Sequence, residues 1–472
     1  MNGIKFLNED SPIIKRYIYG LPRLGTATLL GIENWALFTL YTSGYGLDSF
    51  RVGIALAIGY ITIAISQFLL GWISDQRYTK FGRRKPYILV FAPLLGFSII
   101  FLLFPTNFLS DITNKNLLFI WLLLWDVVFR ASFAVTTPYQ ALMAEIFSAE
   151  ERPKVSQIEN SYNYIGNAIM VIFILLILTD YIGNLQFDAF QLGILQFNPL
   201  QFNPLQFNTL PLNIQSSVPL TYTLPIAFFG VLTFILFYIV VIFLPTEPYY
   251  EMETTMKENL KTILQNKNFL SVVVMLGFAG FGLTIITNTM LKYVEDALYL
   301  RGADYMVISI FLLLSIFLFL HIWRVLIDKI GKKNTLLYVF LFGALFLPIT
   351  LLAVFPMGHY IFLGIILVLG IAALIAGWNL FPYIVYADIA EEDRKETGTL
   401  KPGIYAGFPS MILNLFQALS VFFIGIVLSI PIYYNSNNSI GLLLWGPITS
   451  VVFILSYVYT KKYVKLDFEL EV

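Results

Sequence analysis

The chain alternates long apolar runs with short polar segments along its whole length. Runs of about 20 apolar residues are long enough to cross a bilayer as α-helices. Twelve such runs predict twelve membrane-spanning helices. They cover residues 20–42, 52–74, 87–105, 117–140, 161–182, 221–245, 269–291, 305–326, 335–355, 360–387, 403–430 and 440–460.

The basic residues are distributed unevenly between the two sides that these helices define. If the N-terminus lies inside, the even-numbered loops, both tails and their flanks hold 23 of the 29 Lys and Arg residues. Arg51, Lys115, Lys292 and Arg301 lie on the outer side, and Arg130 and Arg324 lie within or at the edge of helices. Because cytoplasmic loops of membrane proteins are enriched in Lys and Arg, we predict that both termini are cytoplasmic.

The composition restricts the possible function classes. The chain is 58% hydrophobic and 12% charged, which is not the composition of a soluble domain. The net charge is zero, so nothing favours a nucleic-acid partner. Cysteine is absent and only two histidines occur, which excludes disulfides and thiolate sites and disfavours a metal centre. We predict a multi-pass protein of the cell membrane, expected to act as a monomer, with no metal or cofactor.

One charged loop occurs in two versions. "GWISDQRYTKFGRRKPY" (71–87) joins predicted spans 2 and 3, and a weaker copy, Asp328 to Lys333, joins spans 8 and 9. Each has an acid at a helix end, then glycine, then a basic pair, and six helices separate the copies. This spacing predicts an all-α integral membrane protein built from two pseudo-symmetric six-helix bundles. The predicted units are residues 1–247, a cytoplasmic central loop 248–268, and residues 269–472.

A low-complexity segment lies between predicted spans 5 and 6. The sequence "LQFNPLQFNPLQFNTL" (195–210) repeats a five-residue unit, and its prolines exclude a continuous helix. We interpret it as an expansion in a tolerant loop, with a cap over the outer mouth as the alternative.

Three ionisable residues fall near the centres of predicted spans. Glu33 lies in span 1, and Asp126 and Arg130 lie four residues apart on one face of span 4. A charge at the bilayer centre costs at least about 2.5 kcal/mol, so it needs a partner or a function. The three residues either form an ion pair that fixes helix packing or line a central cavity as a protonatable carboxylate and an arginine. Whether Arg130 pairs with Glu33 or with Asp126 is left open.

Polar amides and tryptophans recur at helical spacing in several spans. Amide side chains inside a membrane face a partner helix or water. Amides combined with aromatic rings suit a ligand with many hydroxyl groups and one apolar face, which describes a sugar. The candidate substrate residues are Asn34, Trp35, Asn163, Asn167, Trp378, Asn379, Asn414 and Gln417.

Three motifs resemble one family of transporters. Gly71 to Asp75 followed by Gly82-Arg-Arg-Lys-Pro86 resembles the loop 2–3 signature of the major facilitator superfamily, especially the glycoside–pentoside–hexuronide:cation symporters and the plant sucrose–proton symporters. "TPYQALMAEI" (137–146) is similar to a run at the end of helix 4 in the sucrose porters. "YADIAEEDRKETGTLKPGIYAG" (386–407) looks like the stretch after helix 10 in the symporters. The resemblance implies the major facilitator fold and transport by alternating access.

The resemblance also implies a cytoplasmic gate. In the family, the acid and arginines of loop 2–3 hold the inner end closed through contacts with neighbouring helix ends. Carried over, this role falls on Asp75, Arg83 and Arg84, with Asp328, Lys332 and Lys333 as second-half counterparts. The family's sugar-contacting acid in helix 1 matches Glu33.

Two positions depart from the sodium-coupled members of the family. The melibiose carrier has two aspartates in helix 2 where this chain has Ile63 and Gln67, and its helix 11 lysine appears here as Asn414. These differences argue against a sodium site of that kind and favour protons as the coupling ion, with Glu33 or Asp126 titrating.

The leading hypothesis is a sugar or glycoside transporter that works by proton symport. Its alternatives are sugar uniport, or the same fold carrying a lysolipid, a nucleoside or a drug-like molecule in a more apolar cavity. An intramembrane enzyme or a sensor is a further alternative, but no reactive nucleophile or metal set is visible within the spans.

Overall fold

The computed structural model describes residues 12–76, 78–109, 111–147, 151–185, 218–246, 266–355, 359–397, 402–431 and 440–466. The predicted repeat loop (195–210) and nearly all of the predicted central loop lie outside the described residues. The side chains of Asp75 and of residues 382–397 and 402–407 also lie outside this description, so the third family motif is described only as helical backbone over 386–397 and 402–407.

The described part of the chain is helical, apart from isolated bridge residues. The first half contains α1 (Pro12–Gly20), α2 (Pro22–Thr39), α3 (Ser49–Gln76), α4 (Lys85–Leu103), α5 (Lys115–Phe133), α6 (Thr136–Ile146), α7 (Arg152–Phe173) and α8 (Leu220–Phe243). The second half contains α9 (Lys267–Asp296), α10 (Ala303–Ile330), α11 (Lys332–Phe346), α12 (Ile361–Thr397), α13 (Pro402–Ser429) and α14 (Gly441–Tyr463). Single π-helical turns extend α2 over Leu40–Gly44 and α7 over Ile174–Leu178, and a 3₁₀ segment, Leu347–Val354, extends α11.

Eleven helices in the described ranges are long and apolar enough to cross a membrane, and they coincide with predicted spans 2 to 12. Predicted span 1 corresponds to α2 and its π-helical turn. It is less apolar because it carries Arg23, Glu33 and Asn34, but most of its side chains are buried against other helices. The prediction of a helical multi-pass membrane protein is confirmed.

Helices of each half pack mainly against one another. In the first half α2 packs on α7, and α4 packs on α8 and α5. In the second half α9 packs on α13 and α14, and α10 packs on α12. The halves meet where α3 packs along α13 and α2 packs against α9. We call the end where α2 ends and α3 begins the outer end, and the opposite end, which carries loop 77–84, the inner end.

The two copies of the charged loop share a backbone feature. Gly82 has φ +94° and Gly331 has φ +83°, a region that side-chain-bearing residues rarely adopt. Each glycine lies just before a basic pair, Arg83-Arg84 in one loop and Lys332-Lys333 in the other. Both copies of the loop therefore contain glycine for the same reason. The backbone at this position has a positive φ where the chain turns into the next helix.

Candidate functional site: a central cavity and a buried charge cluster

A cavity of about 450 Å³ lies between the two halves. This volume falls within the range of small-molecule sites in proteins. Helices α2 and α7 of the first half and α9, α10, α12 and α13 of the second half supply most of its wall. Both halves therefore contribute to one cavity, as the substrate site of a two-bundle transporter requires.

Five amide side chains form one layer of the cavity wall, which we call the amide layer. It consists of Asn34, Asn163, Asn167, Asn379 and Gln417. Asn163 and Asn167 are one turn apart, so both face the cavity from α7. Among the described residues, Asn163, Asn167, Asn379 and Gln417 have no hydrogen-bonding partner. Their donors and acceptors are free to bind a polar ligand.

Two tryptophans join the amide layer. Trp35 of α2 and Trp378 of α12 both line the cavity and are half-buried. Thr284 and Thr287 of α9 lie in the same wall. Hydroxyl-binding amides beside indole rings are the combination expected for a sugar, whose ring has polar edges and an apolar face.

A charge cluster lies directly behind the amide layer. The Arg130 guanidinium donates to Glu33 Oε1 over 2.6 Å and to Asn34 Oδ1 over 3.1 Å. Asp126 Oδ1 lies 3.9 Å from Arg130 Nε. Tyr60 stacks its ring on the guanidinium at 3.8 Å and donates from its hydroxyl to Asn34 Oδ1 over 2.8 Å. Arg130 thus pairs closely with Glu33 and more loosely with Asp126.

The charged groups are not among the residues that line the cavity, although cavity lining was one of the two readings left open by the sequence. Asp126 is 0%, Glu33 1% and Arg130 2% exposed, and none belongs to the cavity wall. The cavity instead contacts Asn34 and Tyr60, which both touch the cluster. Buried charges need partners, and here the Arg130 guanidinium pairs with both carboxylates. The cluster can therefore lie behind the cavity wall without water from the cavity. Asn34 is the residue through which the cavity and the cluster are connected.

Several atoms of the cluster have no hydrogen-bonding partner among the described residues. They are Glu33 Oε2, Arg130 Nε and both carboxylate oxygens of Asp126. Gly59 of α3 lies so close to Asp126 that a Cβ atom there would overlap the carboxylate. Buried polar atoms without partners are rare and costly, and they concentrate at functional sites.

The arginines of the predicted gate bind an acid of their own half. Arg83 Nη2 and Arg84 Nη2 donate to Glu145 Oε1 over 2.7 and 3.0 Å, and Arg84 Nη1 donates to Ser74 Oγ over 2.6 Å. Glu145 is the acid of the "TPYQALMAEI" motif, at the inner end of α6. No role was predicted for Glu145 from the sequence, although an acid at the end of a helix was the available signal.

The second-half counterparts of the gate occupy the equivalent turn. Asp328 is exposed in the last turn of α10, and Lys332 and Lys333 are half-buried at the start of α11.

An amide pair connects the halves at the level where the sodium-coupled relatives carry charges. Asn414 of α13 donates to Gln67 Oε1 of α3 over 3.4 Å. Asn414 is buried and, unlike Gln417, does not line the cavity. Of the eight predicted substrate residues, seven therefore face the cavity and one bridges the halves.

The outer end is closed by contacts between the halves. Lys292 of α9 donates to Ser43 Oγ over 2.7 Å, and Ser43 in turn donates to Asp296 Oδ2 over 2.9 Å. Farther along the interface, the backbones of Gly53 and Gly425 touch. Sequence reasoning did not identify these residues, because single polar residues at helix ends are common and carry no pairing signal.

These features define a membrane transporter rather than an enzyme. Two helical bundles form a cavity between them that is lined by amides and apolar side chains, and contacts between the halves join them at the outer end. Residues 18–460 match the family described as MFS/sugar transport protein, and the chain belongs to this family of the major facilitator superfamily.

Similar proteins agree with this assignment. An uncharacterised symporter of Synechocystis sp. (strain ATCC 27184 / PCC 6803 / Kazusa) is 28% identical over 186 residues, which cover 38% of this chain and 33% of the relative. The inward-open xylose transporter XylE from E. coli has a TM-score of 0.62 at 13% identity, covering 95% of both chains. The nucleoside transporter NupG has a TM-score of 0.59 at 14% identity, covering 96% of this chain and 100% of the other. These likenesses show the fold.

Proposed function

We propose that the protein is a proton-coupled symporter of an uncharged sugar or glycoside in the cell membrane. The observation that carries the proposal is the amide layer, whose unpartnered amides face the cavity beside two tryptophans. Apart from Arg23, which lies 3.9 Å from Glu159, no Lys, Arg, Asp or Glu is among the cavity-lining residues that the structure describes. A wall of neutral hydrogen-bonding groups suits an uncharged polyol better than a charged solute.

The charge cluster supplies the proton-binding group in this proposal. Arg130 faces two carboxylates, so the ionised cluster carries one negative charge and a single bound proton makes it neutral. A net charge at this depth is costly, so the cluster exchanges a proton most readily when the cavity admits water. Sugar bound at Asn34 competes for the hydrogen bond from Arg130, and this competition would couple sugar binding to proton binding.

Alternating access requires that the contacts at the outer end break. The Ser43–Lys292–Asp296 contacts hold the outer end closed in this state, and a substrate arriving from outside needs them open. Partly solvated ion pairs are worth about 0–1 kcal/mol each, which is weak enough to break in every cycle. At the inner end we keep Asp75, Arg83, Arg84, Asp328, Lys332 and Lys333 as the proposed gate. This cycle assumes that both termini are cytoplasmic and that one copy of the chain is sufficient.

The Gln67–Asn414 pair supports protons over sodium. Gln67 Oε1 accepts from Asn414 and Gln67 Nε2 lies 3.5 Å from Thr136 Oγ1, so neutral groups occupy this level between α3 and α13. Sodium sites in proteins are built from oxygen ligands that usually include carboxylates. The carboxylates of Glu33 and Asp126 lie instead in the cluster around Arg130.

The test is uptake of a panel of labelled sugars into proteoliposomes with an imposed pH gradient, an imposed sodium gradient, or neither. We expect accumulation driven by the pH gradient alone. Glu33→Gln should abolish accumulation but retain exchange of internal for external sugar, because exchange needs no net proton movement. Glu151→Gln removes a carboxylate that pairs with Arg16 at the inner end, and it serves as the matched control.

The other outcomes separate the alternatives. Downhill uptake that ignores both gradients would make the protein a uniporter. Accumulation driven by the sodium gradient would overturn the assignment of the proton as the coupling ion. Folded protein that carries no sugar but carries a nucleoside or a lysolipid would overturn the substrate class.

A further inference from the structure

A buried carboxyl group at the outer end lies apart from the charge cluster. Glu295 belongs to the last turn of α9 and is only 3% exposed. Its Oε2 atom has no hydrogen-bonding partner, and no ion pair to this carboxyl occurs among the described residues. The next residue, Asp296, accepts from Lys292 over 2.6 Å. Of two neighbouring acids, therefore, one has a close cation and the other is buried without one.

Among the described residues, the charged and titratable groups around Glu295 come from three elements. Lys292 and Asp296 belong to α9 itself, Arg301 to the loop that follows, and Tyr305 to α10. Lys292 is already bound to Asp296, so its charge is largely compensated. The Arg301 side chain is exposed, so water weakens the effect of its charge. An ionised Glu295 would therefore add a second, poorly compensated negative charge beside Asp296.

Tyr305 offers this carboxyl an acceptor rather than a donor. Its hydroxyl faces Glu295 but donates its hydrogen to the backbone oxygen of Leu291 over 3.3 Å. The lone pairs of the hydroxyl oxygen remain, and they can accept a hydrogen bond. A protonated carboxyl has a hydrogen to donate, whereas an ionised one has none. The surroundings of Glu295 therefore fit a neutral carboxyl group in this state.

Glu295 lies between the cavity and the contacts that join the halves. Leu291, one turn earlier on the same face of α9, lines the cavity. On the adjacent face, Lys292 and Asp296 contact Ser43 of the first half. Separation of the halves at Ser43 would admit water beside Glu295, whereas the closed arrangement keeps this carboxyl buried.

Burial gives the two forms of this carboxyl very different stabilities. A buried carboxylate without a partner loses its hydration at a high cost in free energy, whereas the neutral acid loses much less. In water at neutral pH, an ordinary glutamic acid side chain is ionised. Closing the outer end therefore favours proton binding at Glu295. By thermodynamic reciprocity, proton binding favours closure by the same factor.

We propose that Glu295 is a second proton-binding site, which binds a proton from the outer solution when the outer end closes and returns it there when that end opens. In the state open to the inside the site stays buried, so this proton is not carried across the membrane and adds nothing to the transport stoichiometry. The inference goes beyond the proposed function, because it holds for whichever solute the cavity carries. Its consequence is an outer end that closes more readily in acid.

The experiment measures the distance between two spin labels at the outer end as a function of pH, in lipid nanodiscs without substrate. Leu220→Cys at the start of α8 and Met306→Cys on α10 carry the labels, since both side chains are exposed and lie in different halves. The chain has no cysteine of its own. We expect the ratio of open to closed populations to rise with pH, by up to about tenfold per pH unit for one linked proton.

Variants that carry the same labels localise the effect. Glu295→Gln imitates the neutral acid, so the closed population should persist in alkaline solution and the rise with pH should be lost. Asp180→Asn neutralises an exposed carboxylate at the same end, which accepts from Tyr222 within the first half, and should respond to pH as the unsubstituted chain does. Glu33→Gln changes the charge cluster and should keep a rise with pH. If Glu295→Gln does not fold, Glu295→Leu replaces it and should also stay closed.

The outcomes separate this site from the proposed function. A pH response in Glu295→Gln equal to that of the unsubstituted chain would overturn the site, and a response lost only in Glu33→Gln would assign it to the charge cluster instead. Distances that do not depend on pH, or a Glu295→Gln variant that is open at every pH, would also overturn the site and leave the proposed sugar symport standing. Failure of sugar uptake would overturn only the proposed function, because the spin-label distances are measured without a sugar.

Discussion

The two ends of the bundle are held by different kinds of contact. At the outer end, Ser43 of the first half contacts Lys292 and Asp296 of the second. At the inner end, the described ionic contacts of Arg83 and Arg84 run to Glu145, within the first half. Contacts between halves must break when the halves rock, whereas contacts within a half move as one body. In this state the outer contacts therefore join the two halves, whereas the described contacts of Arg83 and Arg84 with Glu145 join elements of the first half.

Locking the outer end should have the largest effect. We expect Ser43→Cys combined with Asp296→Cys, bridged by oxidation or by a short bis-methanethiosulfonate reagent, to abolish uptake, and reductant to restore it. The chain has no cysteine, so no background thiol interferes. Asn107→Cys with Val218→Cys, treated with the same reagent, replaces a 3.0 Å contact between the Asn107 side chain and the Val218 backbone within the first half and should leave uptake intact. Full uptake by the bridged Ser43–Asp296 variant would show that this end need not open.

Breaking the charge cluster should have the next largest effect, because it removes the only cation beside Glu33 among the described residues. Arg130→Met should reduce uptake about 100-fold and lower the free energy of unfolding by about 3–5 kcal/mol, since it leaves buried carboxylates unpaired. Adding Glu33→Gln to Arg130→Met should restore most of the stability, but not the uptake. Thermal unfolding in detergent measures the loss of stability, and proteoliposome uptake measures the loss of transport. An undiminished melting temperature in Arg130→Met would contradict the close pairing.

A methyl group at Gly59 should have a moderate effect. Gly59→Ala places a Cβ atom against the Asp126 carboxylate and should destabilise the protein by about 1–3 kcal/mol through overpacking. Gly183→Ala is the matched control, because nothing lies within 4 Å of the added atom. In an Asp126→Ala background, Gly59→Ala should change the free energy of unfolding only slightly. Equal destabilisation by Gly59→Ala in both backgrounds would show that the clash is not with Asp126.

Removing the bridge between α3 and α13 should have the smallest effect. Gln67→Leu breaks a 3.4 Å hydrogen bond to Asn414, a contact worth about 0.5–1.5 kcal/mol. We expect uptake to fall several-fold, and the double variant with Asn414→Leu to be no worse than the single ones. Additive losses in uptake from the two substitutions would show that the two amides act independently.

Sequence reasoning predicted the helical architecture well because apolar run length alone determines where a helix can cross a bilayer. It also placed Glu33, Asp126 and Arg130 near one another, since charges in a membrane need partners. It did not identify Tyr60, whose ring is one aromatic residue among many in the chain. It did not predict that the cluster lies behind the cavity wall. That position depends on how α2, α3 and α5 are rotated about their axes when they pack.

The contact between Gly53 and Gly425 affects how easily the halves can close. A Cβ atom on Gly53 would lie 2.9 Å from the Cα of Gly425, so the two helices meet backbone to backbone. Long side chains at an interface lose rotamer freedom each time it forms, whereas glycine has none to lose. When the two halves close again at this point, no side chain of either glycine has to become ordered. The surface can separate and re-form many times with little entropy lost at each closure.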